Sequence, residues 1–347
     1  MNTKEFYIKR CLELARNGLG TTYPNPLVGC VIVHEDKIIG EGWHIKAGDA
    51  HAEVRAINAV KDPSLLKKST LYVTLEPCSH FGKTPPCSDL IIDKKIPNIV
   101  IGTIDPFAKV AGMGVKKLLA AGRTVNVGVC EDECEKLNKR FFTFHRKKRP
   151  YIILKWAKTK LGFIAPVDQQ KNEIFWITNS YSQQLVHKWR SEEQSILVGT
   201  QTALVDNPRL NVRHWGGKNP VRLVIDKSLK LKEDLVVIDS PQPTIVFHQN
   251  GLNPEHSKHL RFEQLDFSED ILPQLLKKLY DLELQSVIIE GGSKTLQSFI
   301  DTGLWDEARV FTGQNTIETG VKGPVLKKPI SETFDMEGDE LNYYYND

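Results

Sequence analysis

The chain has 347 residues, enough for two domains of ordinary size, and its 40% hydrophobic content can fill a core in each. Forty-six Lys and Arg against 43 Asp and Glu leave a net charge of +3, which argues against a dedicated nucleic-acid binder but allows local basic pockets for phosphorylated small molecules. Six cysteines in such a chain imply no disulfide framework. No apolar run approaches membrane-spanning length, and residues 1–18 lack the continuous apolar stretch of a signal peptide. The expected location is therefore cytoplasmic, where thiols stay reduced and free to hold a metal.

Apolar residues at 8, 11, 12, 15 and 19 recur at helical spacing and predict an amphipathic helix over 4–17, stopped at Gly18. "LVGCVIV" and "KIIGEGW" flank His34-Glu35-Asp36 and read as a β-hairpin. A helix over 51–60, strand "TLYVTL", a Pro-rich loop, a helix over 87–94, strand "NIVIGTI", a helix over 111–121, strand "VNVGV" and a helix over 131–140 follow. The basic, Pro-ended stretch "FHRKKRPY" (144–151) is the expected linker, giving domains 1–145 and 146–347. The pattern then restarts with strand "YIILKWA", helix 180–190 and strands "SILVG", "VRLVID" and "TIVFH". Helix 270–281, strand "SVIIE", helix 294–301 and strand "EARVFTG" complete it. Alternating strands and helices predict two α/β units, each a sheet with helices on both faces.

One cluster of residue types stands out. A catalytic zinc takes three protein ligands and leaves a position for water, and imidazole and thiolate are ligands of suitable softness. His51, Cys78 and Cys87 supply that set, and Glu53 is the carboxylate that would move protons without ligating. Residues at i and i+2 do not share a helix face. His51 must therefore sit at the very start of its helix. The order His-x-Glu, then Pro-Cys and a second Cys, matches the signature of zinc-dependent nucleobase deaminases. One departure is that eight residues, not two, separate Cys78 from Cys87. The inserted "SHFGKTPP" offers Lys83 and Thr84 as groups for a phosphate. Cys11, Cys30, Cys130 and Cys134 read as core or surface residues.

"TYPNPLVGCVIV", "GWH", "HAEVRA", "VTLEPCSHFGKTPPC" and "DPFAKVAGMG" closely resemble the bifunctional deaminase–reductase family of riboflavin biosynthesis. The resemblance covers nearly the whole chain and is tightest over residues 20–115. It implies a cytidine-deaminase-like three-layer α/β/α domain followed by a dihydrofolate-reductase-like α/β domain. It implies two reactions: hydrolytic deamination of 2,5-diamino-6-ribosylamino-4(3H)-pyrimidinone 5′-phosphate, then NADPH-dependent reduction of the ribosylamino chain. Zinc on His51, Cys78 and Cys87 would activate water, with Glu53 as the catalytic proton shuttle. Asn25, His44, Lys83 and Thr84 become candidates for substrate contacts.

In the second half, Gly291 and Gly292 between "SVIIE" and a helix let a phosphate approach the backbone, although G-x-G-x-x-G is not matched. The resemblance carries cofactor-binding roles to Ala157, Trp176, Thr202, Asp206 and the turn Gly292, Ser293, Lys294, Thr295, Leu296, Gln297 and Ser298. It carries substrate roles to Arg190, Leu210, Arg213 and Glu290. The two arginines suit a phosphate through their forked donors. Leu161, Ile174 and Lys227 depart from the family pattern and leave open a weak or degenerate reductase. Two further readings stay open: an RNA-base deaminase, and a non-catalytic regulator with structural zinc. The expected partner is a phosphorylated pyrimidine, with no nucleic acid and no membrane. A homo-oligomer is left open.

Overall fold

A computed structural model describes residues 3–79, 85–107, 111–167, 175–249, 251–252 and 254–346. The chain divides into two compact units, Met1–Lys148 and Arg149–Asp347. Among the described residues, no helix is long and apolar enough to cross a membrane.

The first unit is a five-stranded sheet between two helical layers. Its strands are β1 (Gly29–His34), β2 (Lys37–Trp43), β3 (Thr70–Leu75), β4 (Asn98–Thr103) and β5 (Thr124–Val127), in spatial order β2-β1-β3-β4-β5. The first three pair antiparallel and the last three parallel. The helices are α1 (Thr3–Arg16), α2 (Ala52–Asn58), α3 (Cys87–Asp93), α4 (Met113–Ala120), α5 (Glu131–Leu137) and α6 (Lys139–Lys147). Alternation along each strand builds two cores. Val31, Val33, Tyr72 and Val100 meet Ile8, Cys11 and Leu12 of α1 and Cys134 of α5. Cys30, Ile32, Val73 and Ile101 face Ala52 and Ala56 of α2, Ile91 of α3 and Leu118 of α4.

The expected linker is partly helix. Residues 139–147 form α6, whose Phe141, Phe142 and Phe144 are buried. Its basic last turn, His145-Arg146-Lys147, complements the partial negative charge of a helix C-terminus. The single helix expected over 131–140 breaks at Asn138, whose buried side chain bonds both the N–H and the C=O of Leu27 at 2.8 Å. A 3-10 turn over Pro63–Lys68 was not expected; Asp62 caps it by accepting from the Ser64 N–H.

The second unit is a nine-stranded sheet. It contains β6 (Tyr151–Thr159), β8 (Ser195–Gly199), β9 (Val221–Ile225), β10 (Thr244–Gln249), β11 (Leu260–Leu265), β12 (Ser286–Ile289), β13 (Glu307–Gly313), β15 (Glu332–Met336) and β16 (Asp339–Tyr345). The order is β11-β10-β9-β8-β12-β6-β13-β16-β15, parallel except for the last two strands. A small hairpin pairs β7 (Phe163–Pro166) with β14 (Gly320–Lys322). One face is covered by α9 (Ile271–Asp281) and α10 (Ser293–Asp301), the other by α7 (Ser180–Glu192) and α8 (Thr200–Asp206). The helix α8 and the strands β7, β11, β14, β15 and β16 go beyond the sequence expectation.

Candidate active sites

The carboxyl ends of β3 and β8 lead into the two candidate sites. In the first unit, His51 is the N-cap of α2, extended at φ −68° and ψ 164°, and its ring caps no backbone amide. Glu53 lies two residues on, in the first turn, which directs both side chains to one place. Packing fixes that helix. A β-carbon at Gly40 or Gly42 of β2 would collide with the backbone of Ala56, so the glycines let α2 lie directly on the strand.

Cys87 opens α3, and its backbone N–H donates to the Cys78 sulfur at 3.2 Å. The His51 Nδ1 lies 3.3 Å from Cys87 Sγ and 3.6 Å from Cys78 Sγ, and all three donor atoms fall within 4.8 Å of one another. Tetrahedral zinc with ordinary bond lengths puts nitrogen and sulfur ligands roughly 3.5 Å apart. The donor set and its spacing therefore fit a zinc ion. Hydrogen bonding from Cys87, then from His51, lowers the Cys78 thiol, and the Cys87 thiol that shares its proton with it is pushed up. The His51 imidazole is raised, chiefly by the same sulfur.

Glu53 is 3% exposed. Burial, followed by the nearby Cys78 thiolate, pushes its carboxyl up to about 7. A carboxyl in that range both accepts and returns a proton near neutral pH.

Asn25 and His44 sit beside this cluster, the His44 ring standing edge-on to that of His51 at 5.4 Å. His44 is 2% exposed, and both ring nitrogens are engaged. The Asn25 amide donates to His44 Nε2 at 3.0 Å, and His44 Nδ1 meets the Ala50 carbonyl at 3.3 Å. The network assigns the ring proton to Nδ1. Burial lowers its pKa and so favours the neutral ring. His44 thus orients Asn25, and Asn138 secures the same segment through Leu27. Lys83 and Thr84 lie outside the described residues.

Sequence reasoning missed Glu76. Its buried carboxylate accepts four backbone N–H groups: Asp105 (3.3 Å) and Gly112 (2.9 Å) on Oε2, Gly114 (2.8 Å) and Val115 (3.2 Å) on Oε1. The backbone of Gly114 lies on the Pro77 carbonyl, leaving no room for a β-carbon. Glu76 therefore ties the start of α4 to the segment that carries Cys78.

In the second unit, Arg190 of α7 and Glu290, which follows β12, form a two-pronged pair. Nε donates to Oε1 at 3.1 Å and an Nη donates to Oε2 at 2.7 Å. The Arg190 fork is thus occupied by a carboxylate, and its remaining Nη donates to the Asn211 carbonyl at 3.3 Å. Lys155 of β6, not singled out in the sequence, places Nζ 3.8 Å from Glu290. Burial opposes the charge on Glu290, but the Arg190 and Lys155 cations overcome it and hold the carboxyl at about 2. A depressed carboxyl stabilises the fold above its ordinary value and loses that contribution as pH falls through the folded value. Glu290→Gln should therefore cost roughly 3 kcal/mol at neutral pH. Melting curves should show the gap from wild type intact above about pH 5 and narrowing progressively as pH falls toward about 2.

Gly291 packs against Gly199 and Val198 so closely that no β-carbon fits, and Gly292 is the N-cap of α10. The Gly292 N–H donates to Thr202 Oγ1 at 2.8 Å, joining the starts of α8 and α10. In the first turn of α10, Lys294 is exposed and Ser293 and Thr295 are half-buried, whereas Leu296 is buried in the core and can offer only its backbone. Gln297 bonds Asp301 and the Val325 N–H, and Ser298 bonds the Thr295 carbonyl. Ala157 lies on β6 and Asp206 ends α8. Trp176 is exposed and accepts on its carbonyl from Asn315. Leu210 is buried, and Arg213 bonds the Asn211 side chain at 2.6 Å. Leu161 is exposed, Lys227 stands 5.5 Å over the Phe267 ring, and Ile174 lies outside the described residues.

Residues 1–103 match the family described as the cytidine and deoxycytidylate deaminase zinc-binding region, and residues 150–315 match the RibD C-terminal domain. The fold and the two sites define a zinc-dependent deaminase joined to a dihydrofolate-reductase-like reductase. The riboflavin biosynthesis protein RibD of Aquifex aeolicus is 42% identical over 91% of this chain and 88% of its own length. A RibD structure from Acinetobacter baumannii shares the fold at TM-score 0.88 and 30% identity, over 99% of this chain and 98% of that one. The structure of a diaminohydroxyphosphoribosylaminopyrimidine deaminase/5-amino-6-(5-phosphoribosylamino)uracil reductase from Thermotoga maritima gives TM-score 0.88 at 35% identity, with the same coverage. The chain belongs to the RibD family, the bifunctional deaminase–reductases of riboflavin biosynthesis. Neither a degenerate reductase nor a non-catalytic regulator is favoured.

Proposed function

We propose that the first unit deaminates 2,5-diamino-6-ribosylamino-4(3H)-pyrimidinone 5′-phosphate and the second reduces the resulting 5-amino-6-(5-phosphoribosylamino)uracil to the ribitylamino product. The observation that carries this is the convergence of the His51, Cys78 and Cys87 donor atoms beside the buried carboxyl of Glu53. When bound to those three residues, zinc supplies a Lewis acid that acidifies water. Glu53 would take a first proton from the water and pass it to the ring nitrogen, then take a second from the newly formed hydroxyl and pass it to the amino group, which leaves as ammonia. Asn25, oriented by His44, hydrogen-bonds the pyrimidine.

In the second unit, NADPH supplies the hydride when bound. The start of α10, with Gly292 as its cap, receives the cofactor's phosphates through backbone N–H groups. Glu290 accepts hydrogen bonds from the substrate, and Arg213 takes its phosphate. The chain's work there is orientation, since hydride transfer needs the two reacting carbons held in contact. The ligands are small molecules and the setting is the cytoplasm. No nucleic acid takes part.

The test is one assay on purified protein that follows ammonia release and cofactor absorbance separately, with and without NADPH. Ammonia without NADPH, and NADPH oxidation only after deamination, is the expected pattern. Failure of either signal removes the corresponding half of the proposal. In the same assay, Gly292→Val should weaken NADPH binding about tenfold or more by blocking the close approach of phosphate, with ammonia release intact. Unchanged cofactor affinity would mean that the turn is not the phosphate cradle.

A further inference from the structure

We propose that His187 is a positioning residue that holds the phosphate-binding Arg213 in place. The inference rests on the reading that Arg213 takes the substrate phosphate. Arg213 belongs to the stretch between α8 and β9 that has neither helix nor strand, so its direction must be set by side chains.

Four such anchors are present. The Leu210 carbonyl accepts from Gln242 at 3.2 Å, and the residue itself is left-handed at φ +51° with its side chain in the core. The Asn211 carbonyl accepts from Arg190 at 3.3 Å, and the Val212 N–H donates to Asn219 at 2.9 Å. The Arg213 N–H itself donates to His187 Nδ1 at 3.1 Å. His187 lies on α7 one turn before Arg190, so one helix face grips the segment at two points. Its ring is 4% exposed and stands edge-on to His214 at 4.8 Å.

The choice of an imidazole has a chemical reason. Arg190, Arg209 and Arg213 converge here, and Glu290 is already paired with Arg190. An Asp or Glu in the place of His187 would accept the same N–H, but would also neutralise the arginine meant for the ligand. A neutral ring accepts without competing with a phosphate dianion. Burial, reinforced by Arg190 and Arg213, keeps this ring neutral by lowering its pKa to about 4.

The experiment compares His187→Leu, His187→Asn and Arg213→Ala in the full-length chain. Each is assayed for NADPH-dependent reduction of the phosphorylated substrate and of its dephosphorylated analogue. Leucine keeps bulk without an acceptor, and Asn places Oδ1 near the position of Nδ1. His187→Leu should raise KM for the phosphorylated substrate about tenfold, the size of one lost hydrogen bond. It should leave kcat within about twofold and leave the analogue's KM unchanged. His187→Asn should return KM close to wild type. If Arg213→Ala raises KM and His187→Leu does not, the positioning role is wrong and the phosphate reading stands. An equal loss on both substrates, or no rescue by Asn, means general destabilisation and also overturns the proposal. If Arg213→Ala has no effect on KM, the phosphate reading fails and takes this inference with it.

Discussion

Glu53→Gln should abolish ammonia release, by about a thousandfold or more, in protein that still carries its zinc. The carboxamide matches the carboxylate in shape, so the first turn of α2 and the His51, Cys78 and Cys87 donors stay in place. What is lost is a group that exchanges a proton near neutral pH, a property that burial confers on Glu53. Metal analysis should find zinc as in wild type. Reduction of pre-deaminated substrate should proceed at the normal rate, because Glu53 has no part in the second unit. Substantial ammonia release by a zinc-loaded variant would exclude Glu53 from the proton transfer. Loss of the metal itself would show instead that the side chain is needed for the coordination.

The second large effect is expected at Glu76. Replacement by Ala leaves four amide donors without an acceptor, that of Gly114 buried and the other three half-buried, each costing up to about 1–3 kcal/mol. With partial relaxation, a loss of about 4 kcal/mol is expected, or a drop of roughly 10 °C in the melting point of the first unit. Glu76→Gln should recover little, since its NH2 must face two of those donors. Because the segment tied down runs beside Pro77 and Cys78, both variants should give up zinc to a chelator faster than wild type. Melting and zinc retention like those of wild type would show that water replaces the carboxylate and that the tie is dispensable.

The metal donors were legible in the sequence because their chemistry is local. A His two before a Glu and a Pro-Cys before a second Cys leave few uses, and the helix-start position of His51 follows from periodicity alone. The groups that hold those donors were less legible. Glu76 reaches amides 29 to 39 residues further along the chain, which nothing in the loop announces. The contact between His44 and Asn25 joins residues 19 apart that meet only through the fold. Lys155 sits among apolar strand residues and gains meaning only when β6 and β12 pair in parallel. The same limit applies to secondary structure. The basic run at 145–147 reads as a linker until the buried phenylalanines of α6 are seen beneath it. The strands β15 and β16 are polar or tyrosine-rich and close the sheet from its edge, where the apolar alternation that marks a central strand is absent.

The Arg190–Glu290 pair has an electrostatic outcome for the second unit. With Lys155 counted, two cations surround one anion, and Arg209 and Arg213 add to the surplus. A phosphate-bearing ligand at this site would thus meet a local excess of positive charge, which dissolved ions weaken over about 10 Å at 0.1 M. Ionic strength should accordingly govern capture by this half of the chain, while the sulfur and imidazole donors of the other half, gathered within one screening length, remain indifferent to it.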